Sequence, residues 1–178
     1  MKLPTREQCL GFYREIGTPE NIMKHVNIVN RIAVFLAKKL KGNGVAINID
    51  LVDRASLLHD LDKWICINDK RLNHGFETER ILKEIGYPEV GFYARQHRAD
   101  LILEGLETWE EKIIAYADRR TLHDKIVLLN ERFDDLNIRY PPKDKIKREK
   151  ERQLSIELEK EIFSKLDFRP EELREKIG

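Results

Sequence analysis

Cysteine is scarce in this chain: Cys9 and Cys66 are the only two, they stand far apart, and neither belongs to a CxxC pattern. A disulfide framework and a zinc ribbon are therefore excluded as organising devices. Long apolar runs are missing too. No stretch approaches the roughly 20 residues that span a bilayer, and the opening Met-Lys-Leu-Pro-Thr-Arg-Glu lacks the apolar centre of a secretory signal. A cytoplasmic protein with no membrane association is the expectation. Charge of one sign is also lacking: 33 basic residues stand against 32 acidic ones, for a formal net charge of +1. That balance argues against a broad nucleic-acid-binding surface or a general attraction to anionic lipid. Strand signals are missing as well, with neither period-two alternation nor an Asn-Gly turn between alternating segments. No internal repeat or low-complexity tract is present.

What is there reads as helix after helix. A chain of 178 residues is long enough for one substantial core and too short for two independent ones. Thr5 with Gln8 makes a capping box, and Gly17 stops the first helix. The second starts at Thr18-Pro19 and runs to about Leu40, burying Ile22, Val29, Ile32, Ala33 and Leu36. Asn48 or Asp50 caps a third, which delivers His59-Asp60 near its carboxyl end. Asn73-His74-Gly75 opens a fourth; Pro88 starts a fifth that ends near His97. Thr108 and Glu111 form a second capping box for a helix carrying Asp118. A further helix from about Leu128 to Ile138 is stopped by Pro141-Pro142. From Lys143 to Lys165 runs a charged amphipathic helix, with Ile146, Leu154, Leu158, Ile162 and Leu166 available for burial. A short helix follows at Pro170. The fold class is all-α, with a helical domain over 1–140 and a helical appendage over 141–178.

The chain has five histidines, and four of them fall in an order with two aspartates: His25, His59-Asp60, His74, His97 and Asp118. Imidazole with carboxylate suits a first-row divalent ion. His25 lies on the apolar face of its helix, at i+3 from Ile22 and i−4 from Val29. Asp60 and Asp118 both follow apolar segments that carry them inward, and a buried carboxylate is costly unless a cation or a paired group accompanies it. Three helices thus bring ligand-type groups towards one interior place. Cations stand beside them: Lys63 near His59-Asp60, Arg119 and Arg120 after Asp118, and Arg95 and Arg98 around His97. Guanidinium and ammonium groups in such positions suit phosphate. His123, in Leu122-His123-Asp124, matches no ligand position and reads as an exposed helix-end residue.

These residues carry a resemblance. His25, His59-Asp60 and Asp118 match the H…HD…D order of the HD-domain metal-dependent phosphohydrolases, and Leu57-Leu-His-Asp-Leu-Asp-Lys63 resembles that family's LLHDxxK segment. The likeness covers about residues 20 to 135. His74, His97 and the Glu111 to Asp118 segment are similar to those of the binuclear branch, such as HD-type symmetrical diadenosine tetraphosphate hydrolases. One departure is Asp62, where many relatives have glycine; it stands either to hold Lys63 or to orient a water. The resemblance implies one ion on His25, His59, Asp60 and Asp118, and a second on His74, His97 and Asp60, with Asp60 bridging. One or two divalent transition-metal ions are expected, Fe or Mn foremost, with Co, Ni, Zn or Mg as alternatives.

The function expected on this basis is metal-dependent hydrolysis of a phosphate ester or anhydride, of a nucleotide or dinucleoside polyphosphate, by metal-activated hydroxide. Asp60 and Lys63 would be catalytic, with Lys63, Arg119, Arg95 and Arg98 binding the phosphorylated substrate. Two alternatives stand beside it: an HD-type di-iron oxygenase acting on a small molecule, and a nucleotide-binding regulator with little turnover. The carboxyl-terminal helix allows a homodimer.

Overall fold

Local signals set most of the helix ends. The Thr5 hydroxyl accepts from the Gln8 backbone while the Gln8 side chain answers at Thr5, so α1 (Arg6–Ile16) begins there. It stops at Gly17, whose φ of 70° lies in the left-handed region. Helix α2 (Glu20–Gly42) follows Pro19 and buries one continuous stripe, from Val26 through Val29, Ile32, Ala33 and Leu36 to Leu40. Asn48, not Asp50, caps α3 (Ile49–Leu58), its side chain accepting from the Leu51 N–H at 3.1 Å. The computed structural model describes residues 1–177. Its remaining helices are α4 (Lys63–Asn68), α5 (Phe76–Glu84), α6 (Pro88–Arg95), α7 (Trp109–Arg119), α8 (Leu129–Arg139), α9 (Lys145–Phe163) and α10 (Leu173–Ile177). The fold is all-α, as composition and periodicity require.

Helix α3 is the central element. Leu51, Val52, Ala55, Leu57 and Leu58 are all buried, because α1, α2, α6 and α7 pack around it. Helices α5 and α6 form a tight pair, and α9 lies across α7 and the 3-10 turn Ala99–Leu103. Leu158, Ile162, Phe168 and Leu173 join the same apolar cluster as α1 to α7, so the segment after 140 packs on the helices before it. Arg120 locks this arrangement. Its buried guanidinium donates to Val127 O (2.6 Å), Pro170 O (2.9 Å) and Glu159 Oε2 (3.0 Å), and also to the Tyr116 hydroxyl. All three of its nitrogens bond within the protein and the side chain is 1% exposed, which leaves it no phosphate role. Among the described residues no helix is long and apolar enough to cross a membrane.

Four expectations differ from the structure. His59 to Asp62 do not continue α3: Leu61 N–H returns to Leu58 O (3.1 Å) and Lys63 N–H to Asp60 O (3.0 Å), a tight turn that starts α4 afresh. Lys63 is therefore the first residue of a new helix. Helix α5 begins at Phe76, after His74 and Gly75, not at Asn73. A two-stranded antiparallel hairpin, β1 (Thr121–Leu122) with β2 (Lys125–Ile126), occupies the α7–α8 connection where no strand was expected. Ile146 is 84% exposed rather than buried.

Candidate metal centre

Four imidazoles converge, and the hydrogen bonds at their outer nitrogens fix their chemistry. His59 Nδ1 donates to Ser56 O (2.7 Å), His97 Nδ1 to Ala94 O (2.8 Å) and His25 Nδ1 to His123 O (3.1 Å). A carbonyl oxygen can only accept, so each Nδ1 carries the proton and each Nε2 of the neutral ring presents a lone pair. His74 does the same through a carboxylate: its Nδ1 donates to Asp62 Oδ1 at 2.7 Å. This outward anchoring is the arrangement that orients metal-ligating histidines.

The four inward Nε2 atoms meet carboxylate oxygens. Asp118 Oδ1 lies 3.0 Å from His25 Nε2 and 3.9 Å from His59 Nε2. Asp60 divides its two oxygens: Oδ2 faces His59 (3.7 Å) and His25 (3.9 Å), while Oδ1 faces His74 (3.1 Å) and His97 (3.7 Å). His74 Nε2 and His97 Nε2 are 3.0 Å apart. Lone pairs at such distances repel unless a proton or metal ion sits among them. His59 gives the clearest sign. Its Nε2 is buried with no hydrogen-bond partner, a costly state for a polar atom that a coordinated cation relieves. Ligands about 2.0–2.1 Å from one ion stand roughly 3–4 Å from each other, which is the spacing found. His25, His59 and Asp60 form one such group, and Asp60, His74 and His97 another. The residues present thus fit one or two ions.

The local field follows. Burial would raise the Asp60 carboxyl, but Lys63, His59 and His74 hold it well below the usual range. Asp118 is likewise held well down against burial, by His25 and Arg132. Burial keeps His59 and His97 low. Burial alone would also lower His74, yet the hydrogen bonds to Asp60 and Asp62 raise it to about 9. Lys63 Nζ sits 3.7 Å from Asp60 Oδ1 and 3.3 Å from His74 Nε2, and the Asp60 charge pushes its pKa up.

Asp62 neither holds Lys63 nor faces the solvent. It is fully buried, and besides His74 its carboxylate accepts from Gly75 N (2.6 Å) and Thr78 N (3.1 Å). Gly75 is required at this point: its φ is +84°, and a Cβ there would meet Arg98 Cδ at 2.8 Å. The arginines divide. Arg95 pairs with Glu79 at 2.7 Å and does not line the cleft. Arg119 borders the cleft, but it is buried and donates to Ala115 O at 2.7 Å. Arg98 lines the cleft while paired with Asp100 at 2.9 Å and bonded to His74 O. Arg132 is the residue that sequence reasoning missed. It lies 4.0 Å from Asp118 Oδ2 and its Nε is buried without a partner. The spacing Leu129, Arg132, Phe133, Leu136 could have found it, since it puts Arg132 on the inward stripe of α8. His123 is exposed as expected, but it occupies the hairpin turn with φ 54° rather than a helix end.

Over the cluster opens a cleft of two adjoining cavities, about 340 and 550 Å³, which share His25, Asp60, Lys63, Arg132, Leu136 and Tyr140. Its lining includes Lys24, Lys63, Arg98, Arg119, Arg132, Arg139 and Arg148, against Asp100, Asp124 and Glu151 outside the ligand set. A chain of nearly zero net charge therefore gathers cations on one cleft, which whole-chain charge conceals.

No family model matches the chain, and no solved structure does. An uncharacterized protein of Methanocaldococcus jannaschii is 29% identical over 139 residues, covering 70% of this chain and 80% of that protein. A tRNA (cytidine(56)-2'-O)-methyltransferase of Thermoplasma volcanium is 25% identical over 75% of the chain, and one of Picrophilus torridus 27% identical over 74%. The chain spans about two fifths of each methyltransferase, 41% and 40%. These two names correct the functional expectation. Both relatives are named for methyl transfer to tRNA, which overturns phosphohydrolase activity on a nucleotide, together with the oxygenase and regulator alternatives. They equally overturn the expectation of a small phosphorylated partner and no nucleic-acid surface.

Proposed function

We propose that this chain serves tRNA modification, as a metal-holding helical unit that faces RNA in 2'-O-methylation. The observation that carries this reading is the alignment of two tRNA 2'-O-methyltransferases with three quarters of the chain. The cleft supports it. Lys63, Arg132 and Arg148 line it together with the ligand cluster, and Tyr140, 60% exposed, stands at both cavities. Cationic side chains with an exposed aromatic ring suit the phosphates and unstacked bases of a folded RNA. The HD-like order of His25, His59, Asp60 and Asp118 is kept as a proposal about ligands alone. An ion bound there would supply positive charge to ribose or phosphate oxygens and lower the pKa of a coordinated hydroxyl.

Mobility-shift titration of a tRNA transcript at stepped salt tests the reading. Binding should weaken linearly on a log–log salt plot, with each lost phosphate contact reducing the slope by about 0.7–0.9. Replacing Lys63, Arg132 and Arg148 together by Gln should weaken it at least about tenfold and flatten that slope by roughly 2 to 3. No shift at low salt, or equal binding by the triple variant, would overturn the reading.

A further inference from the structure

We infer that Asp62 is a positioning residue that creates the second metal half-site, by fixing which nitrogen of His74 carries its proton. The inference rests on the reading of the centre as a two-ion site, and not on the RNA partner. One of the four rings is held differently from the rest. His25, His59 and His97 lean on backbone carbonyls of His123, Ser56 and Ala94, which can only accept. His74 alone leans on a side chain, the carboxylate of Asp62 at 2.7 Å.

That carboxylate is engaged at both oxygens, with the Cys66 thiol within 4.8 Å of it. Oδ2 accepts from the backbone N–H groups of Gly75 and Thr78, the Asp62 N–H donates to Thr78 Oγ1 at 3.1 Å, and no part of the side chain is exposed. The loop that presents His74 is thus pinned to the turn that presents Asp60, the residue whose oxygens face both half-sites. With Oδ2 committed to two N–H donors, Oδ1 is left to accept from His74. His74 Nε2 then keeps its lone pair for an ion shared with His97 and Asp60.

An amide at position 62 reverses this logic. Its oxygen goes to the two backbone donors, and its NH2 group faces His74 Nδ1. His74 then takes the other tautomer, with Nε2 protonated and unable to ligate. Asp62→Asn should therefore lower the manganese content measured by elemental analysis from two ions per chain to one, as should His74→Ala. The retained ion on His25, His59 and Asp118 reports that the variant is folded. In zinc-loaded, nitrogen-labelled protein, the ring signals of His74 should show a protonated Nδ1 and a metal-bound Nε2. In Asp62→Asn the protonated signal should move to Nε2. Two ions retained at unchanged affinity by Asp62→Asn, an unchanged His74 tautomer, or loss of both ions would each overturn the inference. A wild-type chain that binds a single ion would overturn it together with the two-ion reading.

Discussion

His74 and His97 stand 3.0 Å apart and yet titrate in opposite directions. His97 is enclosed, so burial and the neighbouring imidazoles favour its neutral form. His74 faces two carboxylates, which overcome its burial and raise it from 6.5 to about 9. The sign for stability follows from linkage. His74 binds its proton more tightly folded than unfolded, so its contribution is complete below about pH 6.5 and is lost as pH rises through about 9. Chemical denaturation of the metal-stripped protein should show stability falling across that window, and His74→Asn should flatten the fall. The candidate ligands were legible in sequence because their order and residue types carry the chemistry. The work of Asp62 was not, since its partners lie 12 to 16 residues away across a turn. Arg119 shows a similar limit: adjacency to Asp118 says nothing of the Ala115, Arg98 and Ala99 carbonyls that its guanidinium meets.

Helices were readable where a side chain marks their ends. Thr5 with Gln8, Asn48, Pro88 and Thr108 with Glu111 all act at the positions their sequence suggests. The turn at His59 to Asp62 and the hairpin at 121–126 were not readable, because four residues without glycine or proline resemble helix and two-residue strands contain no period. Helix α7 offers the cleanest test at this scale. Its Thr108 hydroxyl accepts from Glu111 N at 3.3 Å, while the Glu111 carboxylate accepts from Glu107 N and Thr108 N. Thr108→Ala should destabilise the protein by about 1 kcal/mol, within a range of roughly 0.5–2. A shift in the urea midpoint at constant m-value would measure it. No change in midpoint would show that Glu111 alone secures the start of the helix that carries Asp118.

For the molecule as a whole, the centre gathers what the fold keeps separate. His25 comes from α2 and Asp118 from α7, 93 residues later, with the other ligands following α3, preceding α5 and following α6. Such a constellation exists only in the folded chain, so ions that bind it stabilise the native state by mass action. At one hundred times Kd the gain is about 2.7 kcal/mol, or roughly 5–10 °C for a protein of this size. Calorimetry should show that loss on chelation and its recovery on adding manganese; a melting temperature indifferent to both would mean that no ion binds. The props behind the ligands have a further consequence. Three of the four imidazoles are held by main-chain carbonyls, at Ser56, Ala94 and His123, and a carbonyl is the same in every residue. The rings ask nothing of the side chains at those positions, although Ser56 and Ala94 are themselves fully buried and answer to their own packing. What the site demands of residue identity is accordingly small: six ligands, the glycine at 75 that their loop requires, and at position 62 one side chain whose replacement the backbone cannot cover.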